Sequence, residues 1–409
     1  MRKAFIILGL IALSLQQACA QDVYKYHKSS MYSVMLKHEN QEFADEIVAA
    51  FNKIPIQDNF YDLNLSKRWF KAGILEDSDT SKADNQKPHI DRILHDNAIG
   101  RRLVAKWFNQ DKQGCFNPDL ILQRGFYNVN ASDIIEALYS RKTQEGVIYD
   151  AGEELIGQTY VLVNDIQYGD KRKDRERRVG NLYNLGAMAG VIPGVGMLVP
   201  LYAGAGGALI GQKYAGFNVT VTSYLYRLDW TEDIANGFYT AYYTAQPNAA
   251  KKEAFKNEKG LFTLTYIGSQ TVHSSNANLK GINDREMQIR KVSTRAIDEA
   301  LAKLQKEHPE FRVRAPLISK SPLIAPIGLR EEMGTDTRYE VLEVGETATK
   351  RTTYKRVAVI KPKKGRIWDN RFMAEFDDDY KPMSGTEFEL VSGSVPNDNR
   401  MFLIREIDN

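Results

Sequence analysis

The run of residues 159–166 constrains the fold more than any other part of the sequence. It is rich in β-branched residues and almost uncharged until its end, which is typical of a strand buried on both faces of a sheet. Residues 218–228 alternate between apolar and polar side chains, and residues 261–267 form a third strand-like run. The apolar spacing over 289–304 predicts a long amphipathic helix. We therefore predict a central α/β domain with a mixed sheet over residues 88–315.

The residues at the start of the chain carry weaker signals. Residues 21–87 are predicted to be helical or irregular, with one clear helix over 43–51. Pro88 stands at the start of a second helical pattern, which is interrupted near Gly100. Residues 120–127 are predicted to form a strand, so the α/β pattern is expected to begin there.

The C-terminal part has a different composition. Residues 316–326 contain three prolines and little periodicity, and are predicted to be a linker. Residues 327–409 predict a small antiparallel β-barrel of the SH3 or OB type, because short strands recur between turn-forming residues. The predicted strands are residues 338–344, 354–360, 366–369, 386–391 and 401–406. The fold class expected for the chain is therefore α+β.

Residues 1–20 have the pattern of a secretory signal peptide. Two basic residues precede an apolar run that is too short to span a bilayer as a helix. The sequence Ala18-Cys19-Ala20 fits the small-x-small rule for cleavage, with the mature chain starting at Gln21. Lipidation of Cys19 is the less favoured alternative, because the residues before it depart from the usual lipid-attachment pattern. We expect export across the inner membrane to the periplasm or the outer membrane.

An uncharged, glycine-rich stretch covers residues 179–212. Glycines spaced four residues apart share one face of a helix and allow a second helix to approach closely. The glycines with this spacing are Gly186, Gly190, Gly194, Gly207 and Gly211. The favoured interpretation is a helical hairpin that is inserted in the α/β domain and packed on its core. The alternative is membrane contact, which the basic residues before the stretch favour and the shortness of each arm disfavours.

The sequence carries no recognised catalytic, cofactor-binding or metal-binding motif. His273 lies near Ser274 and Ser275, but a catalytic triad needs a third residue that the sequence cannot place. The charge balance, with 55 Lys and Arg against 52 Asp and Glu, gives no argument for binding nucleic acid. We therefore predict no catalytic or metal-binding residues and no cofactor, and favour a binding protein over an enzyme.

The order of elements between about residues 90 and 306 also carries a resemblance. A short helix leads into the strand over 160–166, the strand over 219–228 follows, and the helical stretch Arg295-Ala296-Ile297-Asp298-Glu299-Ala300 closes the domain. This order resembles the α/β domain of periplasmic envelope proteins related to the curli-secretion channel subunit and to the N-terminal domain of TolB. The whole chain also resembles uncharacterised secreted proteins of Gram-negative bacteria. The glycine-rich stretch and the C-terminal barrel lie outside that pattern.

The resemblance implies envelope assembly or transport rather than catalysis. We expect a secreted, non-enzymatic cell-envelope protein that binds an envelope protein or a membrane component. One alternative is a membrane-inserting transport or pore component that uses residues 179–212. A second alternative is a hydrolase with a site outside the known motifs, around His273 or in the barrel. Fold-level analogy alone cannot choose among these functions.

Overall fold

The computed structural model describes residues 29–73, 86–128, 152–170, 217–275, 285–312, 314–346, 352–377, 379–398 and 400–407. The predicted signal peptide with Cys19 lies outside these residues. So does the glycine-rich stretch with Gly186, Gly190, Gly194, Gly207 and Gly211. Within the described residues the predicted α+β class is confirmed, because helices accompany one mixed and one antiparallel sheet.

The first sheet is mixed and has six strands in the described part of the chain. They are β1 (Ser29–Lys37), β2 (Phe60–Asp62), β3 (Trp69–Lys71), β4 (Thr159–Asp170), β5 (Phe217–Leu228) and β6 (Leu264–Ser275). Their hydrogen-bonding order is β2-β1-β4-β5-β6, and β3 also pairs with β1. β1 runs parallel to β2, β3 and β4, whereas β5 is antiparallel to both β4 and β6.

Helices cover both faces of this sheet. They are α1 (Ala44–Asn52), α2 (Lys87–Asp96), α3 (Ile99–Trp107), α4 (Asp119–Asn128), α5 (Glu232–Ala241), α6 (Ala249–Asn257) and α7 (Arg285–Glu307). Apolar residues of α2 to α6 share one core with the sheet, and those of α1 and α7 share the other. Of the helices that the structure describes, none offers the length and apolar content of a membrane-spanning segment.

Strand β4 is apolar over residues 160–163 because it supplies both cores. Val161 and Val163 face the core with α2 to α6, whereas Leu162 and Ile166 face the core with α1 and α7. Side chains that alternate between two apolar cores produce a continuous apolar run. The predictions of β4, β5 and α7 are confirmed, and β6 begins later than predicted and continues to Ser275.

Strand β1 corrects the prediction for residues 21–87, which assigned no strand to that region. Its buried Ser30 and Ser33 interrupt the apolar pattern on which strand prediction depends. The Arg124 guanidinium donates a hydrogen bond to the Ser30 hydroxyl, and the Asn164 amide donates to the Ser33 hydroxyl at 3.2 Å. Buried polar groups need such partners, and here they come from α4 and β4, far along the chain.

Residues 120–127 form part of helix α4 rather than the predicted strand. The Asp119 backbone N–H donates to Asn117 Oδ1 at 3.2 Å, and the Leu122 N–H donates to the Pro118 carbonyl at 2.9 Å. An Asn side chain followed by proline is a helix-start signal. That signal outweighs the apolar content of the segment.

The second sheet is antiparallel and has seven strands in the part of the chain that the structure describes. They are β7 (Ala315–Pro316), β8 (Ser319–Lys320), β9 (Leu323–Ala325), β10 (Arg338–Glu346), β11 (Thr352–Pro362), β12 (Thr386–Gly393) and β13 (Phe402–Ile407). Their order is β7-β13-β10-β11-β12-β9-β8. Residues 316–326, predicted to be a linker, therefore contribute strands to this sheet.

The prolines that suggested a linker lie where a sheet tolerates them. Pro316 is in the short terminal strand β7, and Pro322 is in the turn between β8 and β9. The Leu317 N–H donates to the Phe402 carbonyl at 2.9 Å, and the Ile318 N–H donates to the Ile324 carbonyl at 2.8 Å. This segment thus bonds to strands near both ends of the order, and the sheet is curled and barrel-like.

The predicted C-terminal strands match the observed ones with one exception. Strands β10 to β13 contain most of the residues predicted for them. Residues 366–369 are not a strand, because their backbone bonds reach separate partners rather than one neighbouring strand. The Trp368 N–H, for example, donates to the Thr386 hydroxyl at 3.0 Å.

Candidate functional site

Helix α7 joins the two sheets through two different faces. Its apolar face packs into the first sheet's core, where Ile289 and Leu304 are fully buried. Its other face carries Lys291, Arg295 and Asp298, whose spacing places them along one stripe of the helix. This polar stripe bonds to the loops of the C-terminal sheet.

Asp377 receives both cations of the stripe. Lys291 Nζ lies 2.9 Å from Asp377 Oδ1, and Arg295 Nη2 lies 2.8 Å from Asp377 Oδ2. Arg295 Nε also donates to the Phe372 carbonyl at 3.0 Å. Burial opposes ionisation of Asp377, but the hydrogen bonds from Lys291 and Arg295 outweigh it and lower the pKa of this carboxyl. The ion pairs thus favour a charged contact between α7 and the C-terminal sheet.

Asp298 connects three separate parts of the chain. Its Oδ2 accepts a hydrogen bond from Arg330 Nε at 2.8 Å, and its Oδ1 accepts one from Arg330 Nη2 at 3.1 Å. Gln57, which follows α1, donates to the same carboxylate at 2.6 Å. The side chains of Asp298 and Arg330 are only 7% and 12% exposed. A buried, bidentate pair of this kind fixes the relative position of its two elements more strongly than a surface pair does.

Glu331 extends this network on the C-terminal side. Its carboxylate accepts hydrogen bonds from the Gly328 N–H at 2.7 Å and from Asn370 Nδ2 at 2.8 Å. The Asn370 side-chain oxygen in turn accepts the Arg330 backbone N–H at 2.9 Å. Burial raises the pKa of Glu331. The network therefore holds the turn Leu329–Glu331 against α7.

A cleft of about 760 Å³ lies beside this network, and we call it the inter-sheet cleft. Residues 55–62, which end in β2, supply one part of its lining. The C-terminal part of the chain supplies Arg314, Pro316, Pro326, Arg330, Glu331, Trp368 and Asn370. Strands β2 and β7, which begin the hydrogen-bonding order of their sheets, both contribute lining residues. The cleft therefore lies between one edge of each sheet.

The lining of the inter-sheet cleft combines apolar and aromatic surfaces with charged groups. It includes prolines and aromatic rings, of which Tyr61 and Trp368 are partly exposed. Among the described residues that line it there is no serine, cysteine or histidine. Across the described part of the chain, no group of three or more His, Cys, Asp and Glu side chains is arranged to hold a metal ion.

His273, the residue behind the hydrolase alternative, lies outside the cleft. It is exposed on β6, and its Nδ1 is 2.9 Å from the Thr220 hydroxyl. Ser274 is the next residue along the strand and therefore points to the opposite face. The structure thus pairs His273 with a threonine, and it does not place Ser274 on the same face.

A second histidine contact was missed by sequence reasoning. His38 Nε2 lies 2.5 Å from Asp165 Oδ1, and Asp165 is buried in the middle of β4. His38 follows β1, which pairs in parallel with β4. Because β1 was not predicted as a strand, the contact between His38 and Asp165 could not be predicted from the sequence.

The residues that build the cleft's support were also missed. The available signal was the polar stripe of Lys291, Arg295 and Asp298 on a helix whose opposite face is apolar. Such a stripe normally indicates a face in contact with solvent. Its burial depends on Arg330 and Asp377, which follow much later in the chain.

Replacing Arg330 with Met leaves the Asp298 carboxylate buried without its guanidinium partner. We expect the free energy of unfolding to fall by about 3–5 kcal/mol, measured by urea denaturation. The double variant Asp298→Leu/Arg330→Met should recover much of this loss, because it leaves no unpaired buried charge. Arg366→Met is the matched control, because Arg366 is exposed. Its surface ion pair with Glu387 contributes about 0–1 kcal/mol to stability. Additive losses in the double variant would contradict the predicted coupling.

The ion pairs of Asp377 predict a dependence of stability on pH. The pKa of Asp377 is lower in the folded protein than in the unfolded chain, where it is about 3.9. The ion pairs of Asp377 therefore stabilise the fold fully above the unfolded pKa, and this stabilisation is lost as the pH falls through the folded pKa. We expect the stability difference between the wild type and Asp377→Asn to shrink as the pH falls below about 4. Urea denaturation at a series of pH values measures this difference, and parallel curves would refute it.

No family model matches the chain, and no curated protein sequence matches it.

Proposed function

We propose that the protein is a non-enzymatic binding or assembly component of the cell envelope, and that its inter-sheet cleft receives an extended segment of a partner protein. The observation that carries this proposal is a cleft of about 760 Å³ bounded by one edge of each sheet. Its location in the periplasm or at the outer membrane rests on the signal-peptide pattern of residues 1–20.

The lining supports a polypeptide as the occupant. An edge strand directs alternate backbone N–H and C=O groups away from its sheet, and an extended segment can pair with them. β2 offers such an edge, while Pro316 and Pro326 offer apolar surface without backbone donors. Trp368 adds a ring of the kind that often anchors a protein interface. Together these features suit main-chain pairing on one side and side-chain packing on the other.

The supporting network favours a preformed site. Arg330 lines the cleft and is held by Asp298, and Glu331 lines it and is held by Asn370. Binding to a site that is already ordered avoids much of the entropy lost when loops become ordered. This supports recognition of a particular partner rather than a catalytic cycle that needs large movements.

We also propose a barrel type for the C-terminal sheet and a packing for residues 179–212. We assign the C-terminal sheet to the SH3 or OB type of small barrel, and its curl through residues 315–320 supports that assignment. We retain the interpretation of residues 179–212 as an internally packed hairpin, based on the spacing of their glycines. A barrel of this type would present the cleft as a binding surface rather than a reaction centre.

Site-specific photo-crosslinking in the native host tests the proposed function. A photoreactive phenylalanine analogue is placed at Ile56 or at Trp368, on the two parts of the lining. Both positions should capture the same partner protein, because one segment contacts both. The control position is Phe376, an aromatic residue that is 43% exposed and does not line the cleft. Capture from Phe376 but from neither cleft position would contradict the proposal.

A second candidate function is a membrane-inserting transport or pore component. One observation favours it: β4 and β5 pair along their full length up to Asp170 and Phe217, and residues 171–216 connect them there. A long hairpin thus leads directly into the stretch over 179–212.

Replacement of residues 179–212 by a short Gly-Ser linker tests this candidate. If the stretch inserts, the variant should lose retention in alkaline-washed membranes while keeping crosslinking from Trp368. A Cys19→Ala variant is the control for a lipid anchor. Equal retention of the linker variant and the wild type would exclude insertion through this stretch.

A further inference from the structure

Arg314 differs in its surroundings from other arginines of the C-terminal part. Arg330, Arg371 and Arg400 each have a carboxylate partner at hydrogen-bond distance. Arg314 makes no ion pair with any described residue, and its Nε is buried without a hydrogen-bond partner. A buried guanidinium N–H without an acceptor is unfavourable. Arg314 also lines the inter-sheet cleft, and no described residue supplies its guanidinium with a hydrogen-bond acceptor.

The Arg314 guanidinium is held in place by an aromatic ring. Its Cζ lies 3.8 Å from the centre of the Tyr354 ring on β11. Stacking of this kind occupies one face of the planar group and leaves the terminal Nη donors at its edge for a ligand, whereas Nε is buried. Because the group is already positioned, less side-chain entropy is lost when a ligand binds.

The rest of the lining restricts the charge of the ligand. Asp58 is exposed in the cleft and makes no ion pair with any described residue, and Asp62 is a second carboxylate of the same lining. These two groups repel a segment rich in acidic residues. Pro316, Pro326 and Trp368 favour apolar side chains. A segment with one carboxylate and otherwise apolar or uncharged side chains satisfies both requirements.

From these contacts we infer that the segment bound in the inter-sheet cleft presents one carboxylate to Arg314. The inference rests on the proposed function and names the chemistry of the partner. A carboxylate and a guanidinium form two parallel, charge-assisted hydrogen bonds, which would give Arg314 the ion-pair partner that no described residue provides. The carboxylate belongs either to the C-terminus of the partner chain or to a single Asp or Glu side chain.

Peptide binding to the purified protein tests the inference. The probes are mixtures of hexapeptides randomised over Ala, Val, Leu, Tyr, Ser and Gly, with an uncharged fluorescent dye at the N-terminus. One mixture ends in a free carboxylate, a second ends in an amide, and a third ends in an amide but contains one Glu. Fluorescence anisotropy should show that the free acid binds about tenfold tighter than the amide, or more, because a charge-assisted hydrogen bond is lost in the amide.

Variants assign this preference to Arg314. In Arg314→Gln the ratio of the free-acid and amide affinities should fall to about one, since the guanidinium is absent. Arg338→Gln removes the same charge from an exposed position outside the cleft and should keep the wild-type ratio. Trp368→Ala should weaken both mixtures equally. Thermal unfolding of each variant confirms that it folds.

The possible outcomes separate the inference from the function on which it rests. If peptides bind without any preference for a carboxylate, or if Arg314→Gln keeps the preference, the role of Arg314 is refuted and the polypeptide site stands. If no mixture binds the wild type, the proposed function fails as well. Binding of the Glu-containing amide at the strength of the free acid assigns the carboxylate to a side chain. Weak binding of that amide assigns the carboxylate to a chain terminus.

Discussion

The bidentate contact between Asp298 and Arg330 is the interaction on which the arrangement of the two sheets depends. It joins α7, which is packed on the first sheet, to the turn that precedes β10 of the second. Gln57 adds the segment after α1 to the same carboxylate. Desolvating two charges is unfavourable, so such a pair contributes less to net stability than to the choice of one geometry. Here that geometry sets the separation of the strand edges that bound the inter-sheet cleft.

The network around Asp298 also determines which charged residues of the cleft already have partners. Arg330 and Glu331 have their hydrogen bonds satisfied by Asp298, Gly328 and Asn370. Charges that are already paired add little attraction for a ligand. In the proposed function, a partner segment is therefore recognised by the apolar surfaces and by Arg314 and Asp58, which make no ion pair with any described residue. The proposal thus assigns support and recognition to different residues of one cleft.

The sequence predicts the parts of the fold whose pattern is local. β4 is predictable as a buried strand because Val161 and Leu162 supply opposite cores. Helix α7 is predictable from the helical spacing of its apolar residues. β1 was missed because Ser30 and Ser33 are satisfied by Arg124 and Asn164, which no local pattern reveals. The candidate site was missed for the same reason. Asp298 and Arg330 are ordinary surface residues in sequence terms until the tertiary fold buries them together.

The two strand edges that bound the cleft have features that limit unwanted pairing with other chains. Long, exposed edge strands pair with any extended chain, and proteins avoid this with short strands and prolines. β2 and β7 are both short, and Pro316 removes a backbone donor from β7. Main-chain pairing is therefore available mainly along β2. Pairing with this short strand is too weak by itself to hold a segment. For the proposed partner segment, affinity would come from side-chain contacts with Trp368, the prolines and Arg314, which would make an open edge selective.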